Sequence, residues 1–332
     1  MDAEKIKLNL CVEELLEWFD GNRRVMPWRD QADPYCVWIS EVMLQQTRVE
    51  TVIPYYERFI ERFPSIERLA EASLDDVLRL WQGLGYYQRA RNLLRAVMEV
   101  VERFHGQVPP NREAFLSLPG VGEYIAAAVL SISYNLPLAV LDGNVIRVAS
   151  RFWGIGARPI TAVQKQFFRK RLQEEIPHAR CGDFNQAMME LGAVICRTRG
   201  WQCDLCPLHT RCYAFRNNRV AEYPGASKKK DRPCYIVALA VIRDGCRVLI
   251  QKRNETGHLG GLWEFPGGKV REGESPEQAV VRECHEEIGC TFNPRQGLTP
   301  FRHVYTHFEI EVHAFVGSIK PYEARSLAGQ PL

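Results

Sequence analysis

No stretch of these 332 residues is apolar for long enough to cross a bilayer, and MDAEKIKLNLCVEELLEWF at the start is charged and amphipathic, without the apolar core of a secretion signal. Those two absences predict a cytoplasmic protein, nucleoid-associated if the cell is bacterial. No internal repeat or low-complexity segment is visible, which excludes solenoids and arrays. A large charge excess is missing too. Lys plus Arg number 43 and Asp plus Glu 40, and the net +3 permits a nucleic-acid partner without demanding one. Cysteines number 11, an odd count in a chain without a secretion signal, which argues against a disulfide framework and for thiols or metal ligands. What is present is ordinary: 46% hydrophobic and 25% charged residues give ample core, and the length favours two domains over one.

Residues 1–225 read as helices throughout. Apolar residues recur at helical spacing over Leu8 to Phe19, Val37 to Phe63 with Pro54 as a kink or break, and Ile66 to Leu80. Arg89 to Phe104, Arg112 to Leu118, Tyr124 to Ser133 and Val145 to Phe152 continue the pattern. Residues 226–233 lie in a polar, basic stretch bracketed by Pro224 and Pro233, the composition of a linker. From Cys234 to Leu332 the character is α/β: two short strands around Asp244-Gly245, a glycine-rich loop, a helix and further strands including HVYTHFEIEVHAFVG. The expected fold class is an all-α domain over 1–225 followed by an α/β domain over 234–332.

Several stretches carry chemistry. Pro119-Gly120-Val121-Gly122 forms a turn between two helical patterns, and a helix N-terminus behind such a turn favours an anion. An ordinary helical corner would look the same. Asp142 follows in LDGNVIRV; such an acid is usually a solvated N-cap, but this one is set in Ala139, Val140 and Leu141. On VWISEVMLQQT, Trp38, Ile39, Val42 and Met43 form one stripe, while Glu41, Gln45 and Arg48 lie along another at i, i+4 and i+7. Glu41 is by default a solvated charge; beside a wedge-capable Gln facing DNA it would be a general acid. In Gly83-Leu84-Gly85-Tyr86-Tyr87, a glycine-flanked aromatic is suited to enter a base step.

Cys196, Cys203, Cys206 and Cys212, spaced C-x6-C-x2-C-x5-C, call for a soft metal, with four-thiolate zinc as the first alternative. Near the other end, Glu283, Glu286 and Glu287 share one helical face and would repel unless a hard cation such as Mg2+ neutralised them.

The order of hairpin, helix, loop and Asp resembles the helix-hairpin-helix DNA glycosylase superfamily, in which that Asp is the catalytic carboxylate. The resemblance is closest to MutY-type adenine DNA glycosylases and spans nearly the whole chain. It implies that Glu41 protonates adenine, that Asp142 stabilises the sugar cation, and that Asn144 and Tyr124 arrange the site. It implies an adenine pocket at Trp28, Arg29 and Glu190, although Trp28 alone reads as core. Gln45 and Gln46 would fill the gap left by the flipped base with Thr47 next to them at the DNA, Tyr86 would wedge beside the lesion, and Gly120, Val121 and Gly122 would hold phosphate. The cysteine spacing in this branch is that of a [4Fe–4S] loop, 196–212, presenting Arg197, Arg199 and Arg211 to phosphates. Tyr124 stands where endonuclease III-type enzymes place a Schiff-base Lys, so the resemblance implies a monofunctional enzyme.

GGKVREGESPEQAVVRECHEEIG is similar to a Nudix box, with Gly268, Glu274, Arg282, Glu283, Glu286, Glu287 and Gly289 at the expected positions. MutY-type proteins usually carry a degenerate box, so this intact one is a departure. The 99 residues from Cys234 to Leu332 are short for a Nudix fold, and its usual last strand and helix are expected to be missing. Tyr305, Thr306 and His307 occupy the place of the family's lesion-reading Phe-Ser-His. The implied activity is excision of adenine opposite 8-oxoguanine or guanine in duplex DNA by a monomer. The alternatives are a Nudix diphosphohydrolase of oxidised nucleotides, with the helical half as a DNA tether, and a non-catalytic lesion-binding module.

Overall fold

Capping and turn chemistry divide the amino-terminal half into short helices. The computed structural model describes residues 9–29, 33–225, 231–254, 260–305 and 307–319. Its chain falls into two units, Met1–Ser227 and Lys228–Leu332.

In the first unit α1 is Val12–Asn22, α2 Pro34–Leu44, α3 Val49–Arg62, α4 Ile66–Ala70, α5 Leu74–Trp81 and α6 Gln88–Phe104. Then come α7 Arg112–Leu116, α8 Glu123–Tyr134, α9 Gly143–Trp153, α10 Ala162–Glu175, α11 Cys181–Val194 and the single turn α12 Tyr213–Arg216. The starts are written in the sequence: Asp33, Ser65, Ser73, Asn111 and Thr161 each accept a hydrogen bond from a first-turn backbone N–H. Helices α8 and α11 carry few polar positions and are buried on most sides, and α9 and α10 pack around them through Phe152, Trp153 and Phe168.

Two expectations are corrected. The pattern from Val37 to Phe63 breaks at Gln45–Arg48, while Pro54 sits inside α3. The reason is local: Gln46 has φ 59, outside the right-handed helix, whereas the helix Val49–Arg62 runs through Pro54. The stretch Ile66 to Leu80 is likewise two helices, because Ser73 caps a new one.

The second unit is built on β1 Cys234–Asp244, which turns at Asp244-Gly245 into β2 Arg247–Val248 as the dipeptide predicts. Short strands β3 Gln251–Lys252, β4 Trp263–Glu264 and β5 Gly267–Lys269 precede the helix α13 Pro276–Ile288. Then follow β6 Asn293–Gly297, β7 Phe301–Val304 and β8 Glu309–Ser318. The central pair is parallel, β1 beside β8, with β5, β6 and β7 antiparallel to their neighbours. Helix α13 covers one face through Ala279, Val280, Cys284 and Ile288 against Ala238, Ala240 and Ile242. Gly267 has φ 148 and a Cβ there would lie 2.1 Å from the Ala238 carbonyl oxygen, so β5 reaches β1 only as glycine.

Candidate active site

Glu41 does not lie on an exposed face. Every residue of α2 from Tyr35 to Met43 is buried, Glu41 at 5% exposure, so the two-stripe reading of this helix fails. A single ionisable acid in an apolar helix is the pattern of a buried functional group, since an unpaired charge there is costly. Its partner is Tyr124, at the start of α8, whose hydroxyl donates to Oε2 at 2.6 Å. Burial pushes the Glu41 carboxyl up to about 7, with Asp142 adding to the rise while Tyr124 and Arg29 oppose it. Near neutrality, then, Glu41 holds a proton it can give away.

Asp142 fits both readings made of it. Its side chain accepts from the Val145 N–H at 2.7 Å and so caps α9, yet it also borders the cleft with Glu41. Burial raises its pKa, against the backbone N–H groups of Val145 and Asn144 and the charge of Arg147. Asn144 accepts from Arg147 Nη2 at 2.8 Å, and the same guanidinium bonds the carbonyls of Gly192 and Cys196 at 2.6 and 2.7 Å. Gly192 is required there, because a Cβ would stand 2.7 Å from that of Asn144.

The cleft holding these residues has a volume of about 660 Å³, enough for a purine nucleoside, and Trp28, Arg29, Thr47, Met189 and Glu190 also line it. Glu190 contrasts with Glu41. Burial would raise it, but Arg24 and Arg29 outweigh burial and hold it below the ordinary carboxylate value. Arg24 Nε and Arg29 Nη2 reach it at 2.7 and 3.1 Å, and Gln186 accepts from Arg29 Nε at 3.2 Å. Arg24 and Gln186 escaped the sequence reading. The only signal for Arg24 is its place in an arginine pair ahead of PWR. Trp28 is both core and wall, edge-on to Tyr56 at 5.1 Å.

Gly120, with φ 76, gives the hairpin its turn, and Gly122 is the N-cap of α8; both are exposed, while Val121 is buried beneath them. Gln45, Gln46 and Thr47 form the α2–α3 turn, so Gln45 and Arg48 do not continue the Glu41 face. Tyr86 is 40% exposed, in a turn with Gly83 and Gly85 at φ 94 and 75.

Cys196, Cys203, Cys206 and Cys212 line one small cavity with Arg151, whose Nη1 donates to Cys196 Sγ at 3.3 Å. Among the described residues no three Cys, His, Asp or Glu side chains are arranged to hold a single metal ion. Four thiols around one apolar cavity fit a multi-iron cluster with a hydrogen-bond donor to its sulfurs.

In the second unit Arg282 reaches Glu274, Glu283 and Glu286 at 2.8, 2.7 and 3.1 Å, and Arg271 also meets Glu286 at 3.2 Å. Glu287 accepts from Gln251 Nε2 at 2.5 Å and from the Gly267 N–H at 3.0 Å. As placed, these carboxylates do not converge on a cation, so the residues do not fit a preassembled Mg2+ site. Glu264, paired with Arg253, is pushed up to about 7 by burial. Tyr305, half-buried between β7 and β8, lies against His303 and Phe308, with ring centroids 4.6 and 4.7 Å away; His307 is exposed between the same strands, and Thr306 lies outside the described residues.

The amino-terminal unit matches the HhH-GPD superfamily of base excision DNA repair proteins over residues 39–175. An adenine DNA glycosylase from Rattus norvegicus is 34% identical over 91% of this chain and 69% of its own length. The chain belongs to the adenine DNA glycosylase family. The Arabidopsis thaliana relative is also 34% identical, over 94% of this chain, which spans 57% of that protein's length. A thermostable thymine-DNA glycosylase superimposes with a TM-score of 0.58 at 29% identity, covering 64% of this chain and 98% of that one. Residues 237–330 match the NUDIX domain. Among the described residues no helix is long and apolar enough to cross a membrane.

Proposed function

We propose that this enzyme hydrolyses the bond between adenine and deoxyribose in duplex DNA where adenine is mispaired with 8-oxoguanine or guanine. The observation that carries the reading is the buried Glu41, its pKa raised toward neutrality by that burial, sharing a cleft with Asp142. Adenine leaves as a neutral base only if its ring is protonated, and the sugar left behind is cationic. Glu41 supplies the proton, Asp142 faces the cation, and water completes the hydrolysis, the division of labour of a glycosidase carboxylate pair. Tyr124 holds Glu41 by its hydroxyl and, being neither amine nor charged, supplies no Schiff base. Trp28, Arg29 and Glu190 receive the purine. Gln45, Gln46, Thr47 and Tyr86 occupy the gap it leaves, and Gly120, Val121 and Gly122 hold the backbone phosphate.

The four cysteines would hold a [4Fe–4S] cluster, which ties the loop 196–212 and its arginines in place. The second unit, 234–332, would read the base opposite the adenine through Tyr305, Thr306 and His307. Its carboxylates, already answered by Arg282 and Arg271, favour that role over nucleotide hydrolysis. The protein would act as a monomer on the nucleoid. The test is a duplex with adenine opposite 8-oxoguanine, scored with and without alkali. Strand cleavage only after alkali is expected; no adenine release, or hydrolysis of 8-oxo-dGTP alone, would overturn the reading.

A further inference from the structure

Arg89 contacts both of the turns assigned above to the duplex. From the start of α6 its Nη1 donates to the carbonyls of Val42, Met43 and Gln45 at 2.9, 2.8 and 2.6 Å. Its Nη2 meets Thr47 Oγ1 at 3.3 Å and the carbonyls of Leu84 and Gly85 at 3.4 and 3.1 Å. The guanidinium also lies 5.3 Å from the Tyr86 ring centroid and 5.5 Å from that of Trp81. Among the described residues no carboxylate pairs with it; carbonyl oxygens and ring faces surround its charge, and burial lowers its pKa to about 10.

Each turn also holds a residue in the left-handed region, Gln46 at φ 59 and Tyr86 at φ 50. The other such non-glycine residues among the described ones are of types that tolerate it: His105 and Asn135 close helices, and Asn218 follows one. Gln and Tyr have no such excuse, and strain of this kind persists only where the surroundings over-determine it. At both places the surroundings include Arg89, bonded to the residues on either side of Gln46 and to the residue before Tyr86.

We propose that Arg89 is a positioning residue that clamps the Gln45–Thr47 and Gly83–Tyr87 turns into one rigid unit, so that both enter the duplex in fixed register when the adenine is extruded. Arginine is required because its planar fork can serve two turns at once, whereas a lysine ammonium reaches only one. The inference rests on the reading that these turns insert into DNA.

Its test uses the full-length protein under single turnover, with 2-aminopurine beside the mispaired adenine reporting extrusion. Arg89→Gln should slow extrusion and excision by about a hundredfold, the penalty of misplacing a group by an ångström. Duplex affinity should stay within about threefold, because phosphate contacts lie elsewhere. Arg89→Lys should recover at most about a tenth of the lost rate, and it carries the same test if Arg89→Gln fails to fold. Wild-type extrusion in Arg89→Lys would overturn the clamp. Combining Arg89→Gln with Tyr86→Ala or Gln46→Ala should cost little beyond either single change. Fully additive losses would also overturn it. If Tyr86→Ala and Gln46→Ala leave extrusion untouched, the reading of the turns as inserting elements has failed instead.

Discussion

Glu41 and Glu283 are both helical glutamates close to further carboxylates, yet one meets a tyrosine hydroxyl and the other a guanidinium. In the first unit an apolar helix surrounds the acid and Asp142 adds negative charge, so the cheapest answer is a proton. In the second unit Arg282 stands within 3.1 Å of three glutamates, so their charges are met by a cation the chain itself supplies; Glu274 is held down at about 2. Fold-level likeness to a hydrolase says little when the charges are already balanced, and a buried acid whose burial outweighs its nearest cation says much.

The comparison breaks most visibly at Asp142. Asp142→Asn keeps the shape and a hydrogen-bond acceptor for the Val145 N–H but removes the charge proposed to face the sugar cation. Excision should become unmeasurable while mispair binding stays within about tenfold. Near-wild-type excision, measured in single turnover, would remove Asp142 from the mechanism.

Glu41→Gln should cost about a hundredfold to ten-thousandfold in excision, the range of a general acid. With the carboxyl at about 7, wild-type excision should fall as pH rises above 7, and the variant should lack that limb. Stability gives a second reading. The folded state holds a proton that the unfolded chain releases between pH 4.5 and about 7. Wild type therefore loses stability as pH climbs through that window, and Glu41→Gln should melt higher above pH 7 and alike below 4.5. Equal melting temperatures at pH 8 would show that Glu41 is not strained by its charge.

How much of this was legible in the chain is clearest at these same residues. The hairpin turn, the cap at Asp142 and the Asp244-Gly245 hairpin follow from local chemistry and were readable. The burial of Glu41 was not, because Tyr124 meets it from 83 positions away, and periodicity within α2 suggested an exposed face. Arg24, Arg89 and Gln186 were invisible for the same reason. An arginine bonded to distant carbonyls or a distant acid leaves no spacing pattern of its own. The break at Gln46 was misplaced to Pro54 because a left-handed Gln carries no sequence signal, whereas proline does.

A smaller effect sharpens the first half of the comparison. Tyr124→Phe deletes a hydrogen bond that lowers the Glu41 pKa, so that pKa should rise and the alkaline limb of excision should move to higher pH. The rate at the optimum should fall by about tenfold, the worth of one hydrogen bond. An alkaline limb that stays in place would mean another group sets it.

The smallest effect tests the second half. Arg282→Gln touches neither Glu41 nor Asp142, so adenine excision should stay within about twofold. Stability should change little as well, since ion pairs near the surface are worth about 0–1 kcal/mol each. What should change is the response to Mg2+. With Arg282 gone, Glu274 and Glu283 lose the guanidinium beside them, and among the described residues Glu286 keeps Arg271. Carboxylates left together, Glu283 and Glu286 on α13 and Glu274 just before it, repel and recruit a hard cation. Mg2+ should then raise the melting temperature of the variant more than that of the wild type. Equal stabilisation of both would mean that Arg282 does not answer those charges, and that the carboxylates rearrange to take a metal in the unaltered protein. The contrast between the two units would then lie in flexibility, with Glu41 fixed by its surroundings and the α13 glutamates free to exchange one partner for another.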